Sequence, residues 1–307
     1  MLTLLANKRE LKDFMRKTLL SVFILMTALR SQAATDFVVS YRTPVVGATT
    51  SSYHDYYTEL LRLALEKTRP QYGDYTMQGI PPSLSTLRSL ADVVENTYPN
   101  LVIEIGYEEK LTDTGALSYI NIPIDGGIVG YRVCFVNAAI KEKVKKVSSL
   151  NDLRPYSIGQ GVGWVDSEIM RANGLKVIEI SNYESIFKMV VAGRVNLFCR
   201  GANQLQAEVA EFKSLTKLTY DESFVLVYPL PRFFYLNSKN TLAKKRIQAG
   251  LKIAFNDGSF KKLWQKHYQA SVDFSKLHQR KFIYLKNPLL KNLSPDYKLY
   301  FIDPLSK

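Results

Sequence analysis

Few residue patterns in this 307-residue chain could do chemistry, and those that could are suited to holding a small molecule rather than transforming one. Arg200 closes an apolar run at 195–199 and is followed by Gly201, whose missing side chain allows close approach. A guanidinium fixed there could clamp a carboxylate or another anion through paired hydrogen bonds. It could equally form a structural salt bridge, with Glu208 as the partner. Gly161-x-Gly163-Trp164-x-Asp166 reads as a glycine-bearing turn that opens a helix. Trp164 could stack on a ring or cation, while backbone N–H groups from Gly163 to Asp166 receive an anion. The other reading has Asp166 capping the helix with Trp164 packed beneath it. Tyr41 and Arg42 close the first strand and face either a cleft rim or solvent. Tyr107 follows the third strand and is either a ring wall or core. Arg132 reads as structural.

Catalytic patterns are weak by comparison. The chain has three histidines; His267 and His278 fall near its C-terminal end, and His54 alone lies near an expected cleft edge. There is no Ser-His-Asp order, no activated cysteine motif and no GxxxxGK phosphate loop. No Cys/His spacing suits zinc, and no cofactor is expected. The two cysteines, Cys134 and Cys199, both sit in apolar strand-like runs and read as buried free thiols, although an oxidising compartment would permit a disulfide.

Positioning these residues requires alternating strands and helices, and the chain supplies them. Strands are expected at 37–41, 75–80 and 101–105, with helices at 54–68 and 84–94 between them, the latter capped by Ser83. After Gly126-Gly127 the pattern resumes with a strand at 130–136 and a basic helix or turn at 139–147. A second βαβαβ then follows. It has strands at 157–159, 177–180 and 195–199, a helix at 167–173 ended by Gly174, and another at 183–192 ended by Gly193. Further on come a helix at 204–212, strands at 224–228 and 233–236, and helices at 242–255 and 260–268. The tail from Ser271 is basic and aromatic and reads as an irregular wrap. Two βαβ units facing each other across a break predict an α/β protein with two lobes, because open α/β sheets bind ligands at the carboxyl ends of their strands.

The first 33 residues place the rest outside the cytoplasm. A basic head (Lys8, Arg9, Lys12, Arg16, Lys17) precedes an apolar run at 18–29 too short to span a bilayer. Ser31-Gln32-Ala33 then supplies the small residues a signal peptidase reads. Met15 begins a compact version of the same signal and is an alternative start to Met1. Formal charge is +13; the leader holds six basic and two acidic residues, which leaves +9 on the mature chain. The lysine runs are interleaved with apolar residues at helical spacing, so they read as solvated helix faces rather than a nucleic-acid surface. With 46% apolar residues, the 274 that remain can bury a sizeable core.

Three segments together resemble a known family. They are Ser149-Leu150-Asn151-Asp152-Leu153, Ile158-Gly159-Gln160-Gly161, and the stretch 183–196 with its Ala192-Gly193-Arg194-Val195-Asn196 ending. The C-terminal stretch 255–264 fits the same pattern. They are similar to bacterial extracellular solute-binding proteins, more narrowly the amino-acid (family 3) class with the type 2 periplasmic binding-protein fold. Gly161-x-Gly163-Trp164-x-Asp166, Phe198-x-Arg200-Gly201 and Arg280-x-Phe282-Ile283-x-Leu285-x-Asn287-Pro288 look like a stand-alone subgroup of unassigned ligand.

The resemblance implies two Rossmann-like lobes joined by a two-strand hinge. Lobe 1 would hold residues 36–129 plus 232–307 and lobe 2 residues 130–231, with crossings near Gly130 and Pro231. It further implies a monomeric periplasmic protein that captures a small polar or anionic, amino-acid-like solute and presents it to an inner-membrane ABC transporter permease or a sensor, without catalysis. Relatives carry an arginine after the third strand that clamps the ligand carboxylate; here the stretch 107–115 has none. A sensory or docking module with a degenerate site, and a dehydratase on the same fold, are the alternatives.

Overall fold

The computed structural model describes residues 37–43, 51–82 and 86–306. The expected leader, its cleavage site and the Ser83 cap lie outside the described residues, as does the side chain of His54.

Twelve described strands fall into three sheets. β1 (Val38–Arg42) and β2 (Thr76–Ile80) pair in parallel, and an isolated bridge joins Tyr41 to Val102. β3 (Ile103–Gly106) and β4 (Leu117–Tyr119) flank β11 (Arg232–Asn237), both antiparallel to it. The third sheet is larger. It runs β12 (Lys281–Tyr284), β10 (Phe224–Val227), β5 (Tyr131–Asn137), β8 (Leu197–Gly201), β6 (Ser157–Gly161), β7 (Lys176–Ile180), with β9 (Leu218–Tyr220) also on β5. The first two sheets make a small-sheet side and the third a large-sheet side.

Helices cover each side where apolar periodicity demands it. On the small-sheet side, α1 (Ser51–Lys67) buries Tyr56, Leu60, Leu61 and Ala64, and α2 (Thr86–Val94) buries Val93. On the large-sheet side lie α3 (Val165–Ala172), α4 (Tyr183–Val191) and α5 (Leu205–Glu211). Gly174 and Gly193 end α3 and α4 with positive φ, as their positions foretold. α6 (Thr241–Asn256) lies against α1 so closely that a Cβ on Gly250 would stand 1.9 Å from the Ala64 carbonyl oxygen. α7 (Ser259–Ser275) runs seven residues past its expected end because Val272 and Ser275 continue its buried stripe. Its Ser271 hydroxyl donates to the Ala202 carbonyl on the large-sheet side at 2.7 Å.

The chain passes between the sides at Gly130 and again after Tyr228. The two passes touch backbone to backbone: Tyr228 N–H donates to the Gly130 carbonyl at 3.1 Å, and a Cβ on Gly130 would meet the Tyr228 oxygen at 2.2 Å. The tail is not wholly irregular. Its residues 281–284 form β12, which adds in parallel to the open edge of β10.

The cysteines correct an expectation. Cys134 and Cys199 stand opposite each other on antiparallel β5 and β8 and form a disulfide, not free thiols. Each run was recognisable as a strand; the register that faces the two sulfurs is a long-range property of the sheet.

Beside the first pass lies Asp125, fully buried. Its Oδ1 accepts from Gly127 N–H at 2.9 Å. Burial pushes its carboxyl up to about 6, against the opposing pull of Arg232 and Arg132. A carboxyl raised in the folded state binds its proton more tightly there than in the unfolded chain. Its stabilising effect is therefore complete below about pH 4 and is lost as pH rises through about 6. Asp125→Asn should abolish a loss on the order of 3 kcal/mol between those limits. Urea melts of both proteins across that range check this; parallel curves would show that Asp125 does not titrate there.

Candidate functional site

The carboxyl ends of β6 and β8, the start of β5 and the end of β10 meet at one edge of the large sheet. Two arginines converge there, and each is already matched. Arg132 forms an ion pair with Asp166, and its Nε–H donates to the Tyr228 hydroxyl at 3.1 Å; that hydroxyl in turn donates to Asp166. Burial disfavours charge on Arg132, but Asp166 more than offsets it and keeps the guanidinium protonated. The reading in which the Asp166 side chain caps the helix gives way to this triad, because its carboxylate pairs with Arg132 on β5 and the cap position belongs to Trp164.

Arg200 is held in the same manner. Its Nε–H and Nη2 both reach Glu208 Oε1 at 2.8 Å, and the Tyr183 hydroxyl donates to the same oxygen at 2.7 Å. Both side chains are buried. The rings of Trp164, Tyr183 and Phe198 surround the guanidinium at 5.0, 5.3 and 5.3 Å. Arg200 thus fills an aromatic cage from within the chain, and the cage adds cation–π attraction to the ion pair. Of the two roles open to Arg200, this geometry is the salt bridge. Burial opposes its charge and Glu208 restores it.

Trp164 has a second face. It lies over Gly161, tilted 28° from the Phe198 ring, and borders a cavity of about 410 Å³. One wall is the segment after β3, with Glu108 and Lys110. The other is Gly163, Trp164, Glu168 and Arg171 at and beyond the start of α3. Gly163 has φ +75°, which keeps that turn free of side-chain bulk. Lys110 pairs with Glu108 at 2.6 Å, and this hydrogen bond raises its pKa. Arg171 pairs with Glu179 at 3.0 Å and lowers the Glu179 carboxyl. The walls therefore alternate in sign. Away from the cavity the two sides meet closely: a methyl on Gly106 would lie 3.6 Å from Val165.

The structure brings Trp164 and Gly163 to the cavity and sets Arg200 and Asp166 behind them. The other candidates lie elsewhere. Arg42 donates to the Pro81 carbonyl at 2.8 Å and pairs with Asp92 beneath the Tyr98 ring. Tyr107 is buried in the small-sheet core with Tyr119 and Phe233. Tyr41 is half-buried at the β1–Val102 bridge. Lys110, Glu108, Glu168 and Arg171 were not singled out in the sequence. Lys110 has a readable signal: it is the cation in the stretch 107–115, where relatives carry an arginine.

No protein-family model and no curated protein matches the sequence. Among solved structures, the chain is similar to the GluR0 ligand-binding core in complex with L-glutamate (13% identity, 77% of this chain and 99% of that one, TM-score 0.56). It is also similar to an ancestral arginine-binding protein bound to arginine (14%, 76% and 98%, 0.53). A third likeness is to a histidine kinase sensor domain with similarity to periplasmic binding proteins (15%, 76% and 96%, 0.53). With its mixed α/β sheets and these neighbours, the chain has the two-lobed type 2 periplasmic binding-protein fold.

Proposed function

We propose that this protein is a periplasmic solute-binding protein. It captures a small polar, amino-acid-like solute between its lobes and signals closure to a permease or a sensor. Lobe 1 would be residues 36–129 with 232–307, except that β12 lies in the other sheet; lobe 2 would be residues 130–231. The leader at 1–33 would direct export, and among the described residues no helix is long and apolar enough to cross a membrane. Neighbours of this fold are bound to glutamate and to arginine, and one is a sensor domain, which supports binding rather than catalysis.

The observation that carries the reading is the cavity at Trp164, whose walls come from opposite sides of the molecule and whose volume suits a small ligand. Its alternating charges favour a zwitterion over a simple anion. Both buried guanidiniums at the sheet edge have in-chain carboxylates, so neither is free to clamp an anion. Lys110 and Arg171 are the cations that line the cavity, one on each wall and each half-neutralised by a neighbouring glutamate, and Glu168 stands across from Lys110.

A thermal-shift screen of amino acids, polyamines and small carboxylates on residues 34–307 tests this. A true ligand at a hundredfold excess over its Kd should add about 2.7 kcal/mol of stability. Lys110→Gln and Trp164→Ala should each remove that shift while the unliganded protein stays folded. A shift that survives both substitutions would place the solute elsewhere. The absence of any shift across the screen would favour a sensory or docking module without a working site.

A further inference from the structure

The tail links the two walls of the cavity. It begins on the large-sheet side, where buried Arg280 donates to the carbonyls of Ser275, Asp221 and Phe224 at 2.6, 2.7 and 3.1 Å and seats β12. At Lys286 the chain is gripped twice by Asn173, the residue that ends α3: Asn173 Nδ2 donates to the Lys286 carbonyl at 2.8 Å, and Lys286 N–H donates to Asn173 Oδ1 at 3.0 Å. Asn287 Nδ2 then donates to the Pro229 carbonyl, on the second pass between the sides, at 2.8 Å. Beyond it the tail enters the small-sheet core. Leu293 and Tyr297 are buried among Ile105, Tyr107 and Phe233, and Ile302 N–H donates to the Gly126 carbonyl at 2.9 Å. Asn292 donates to Glu109.

The two places the tail holds are neighbours of the cavity. Asn173 follows the wall residue Ala172, and Glu109 follows the wall residue Glu108. A tie between these points resists separation of the walls themselves. A space of about 530 Å³ is lined by Pro229 and by the tail residues Asn287, Leu290 and Tyr297.

We propose that residues 285–302 are a strap that limits how far the two lobes part, so that opening of the cavity requires the Asn173 and Asn287 links to break. Three hydrogen bonds do this holding. Their combined loss shifts the ratio of open to closed forms by about tenfold. The strap rests on the two sides being the moving lobes, but it needs no solute. A failure to find a ligand would leave it standing.

The test is single-molecule energy transfer in unliganded protein between dyes on unnatural amino acids at Leu87 and Lys188, exposed residues on opposite sides. Two variants are compared with the native chain. Asn173→Ala with Asn287→Ala removes the links. Six Gly/Ser residues inserted between Pro288 and Leu289 lengthen the strap yet keep β12, Leu293 and Tyr297 seated. Both should raise the open population about tenfold. The lengthened strap should do so with its melting temperature nearly unchanged, a combination that merely structural packing would not give. If both variants keep the native distance distribution, the strap does not limit opening and the proposal fails. If only the lengthened form opens, the limit lies in the strap's span and the asparagine links are not its latch.

Discussion

Arg200→Ala is expected to destabilise the protein by about 3–5 kcal/mol, because it strands the buried Glu208 carboxylate without its cation. For a chain of this size that lowers the melting temperature by roughly 10 °C. The sequence left two roles open for this residue, and they predict opposite patterns. An arginine waiting for a ligand in an open cleft would leave the unliganded melt intact and remove only the solute-induced shift. An arginine caged by Trp164, Tyr183 and Phe198 and paired with Glu208 lowers the melt before any solute is added. Adding Glu208→Leu to an Arg200→Met variant should recover much of the loss, since a buried ion pair can be replaced by apolar groups of similar volume at little cost. A single-variant melt indistinguishable from the native one would show that the guanidinium is not held as described.

The same comparison shows what a sequence can and cannot reveal about this site. The alternation of strands and helices was legible because each long element carries its own periodicity, as α1 and α6 do. The glycines that end α3 and α4 were legible because only backbone near φ +70° asks for them. What escaped were features made by pairing. β4 and β9 are three residues each, too short to show alternation. β12 is a strand only because β10 leaves an edge open to it. Arg42 and Tyr107 end or follow strands, as Arg200 does, but which way such a side chain turns depends on a partner far along the chain. For Arg42 that partner is Asp92, fifty residues on. Lys110 is marked in the sequence only by its place in the stretch 107–115, because an ammonium is a point charge without the planar, bidentate geometry of an arginine clamp, and the α/β pattern does not single it out.

The Cys134–Cys199 bond is the other feature on which stability should turn. It closes a loop whose ends are 65 residues apart, and the chain-entropy relation gives a contribution of about 4 kcal/mol for a loop of that length. Cys134→Ser with Cys199→Ser should therefore lower the melting temperature by roughly 10 °C in calorimetry, and the native protein should fall to the same value once reduced. Both sulfurs belong to fully buried residues in the centre of the large sheet, between β5 and β8. A reductant can reach them only when that sheet opens. The rate of reduction should therefore stop rising with dithiothreitol concentration and level off at the unfolding rate, and urea should raise the plateau. A rate that stays proportional to reductant throughout would mean that the bond is accessible in the folded state. Equal melting temperatures for the native and serine-substituted proteins would mean that the strands hold their register without the covalent tie. The bond also couples stability to compartment: a chain folded where thiols are kept reduced would lack this contribution, and one folded after export would have it.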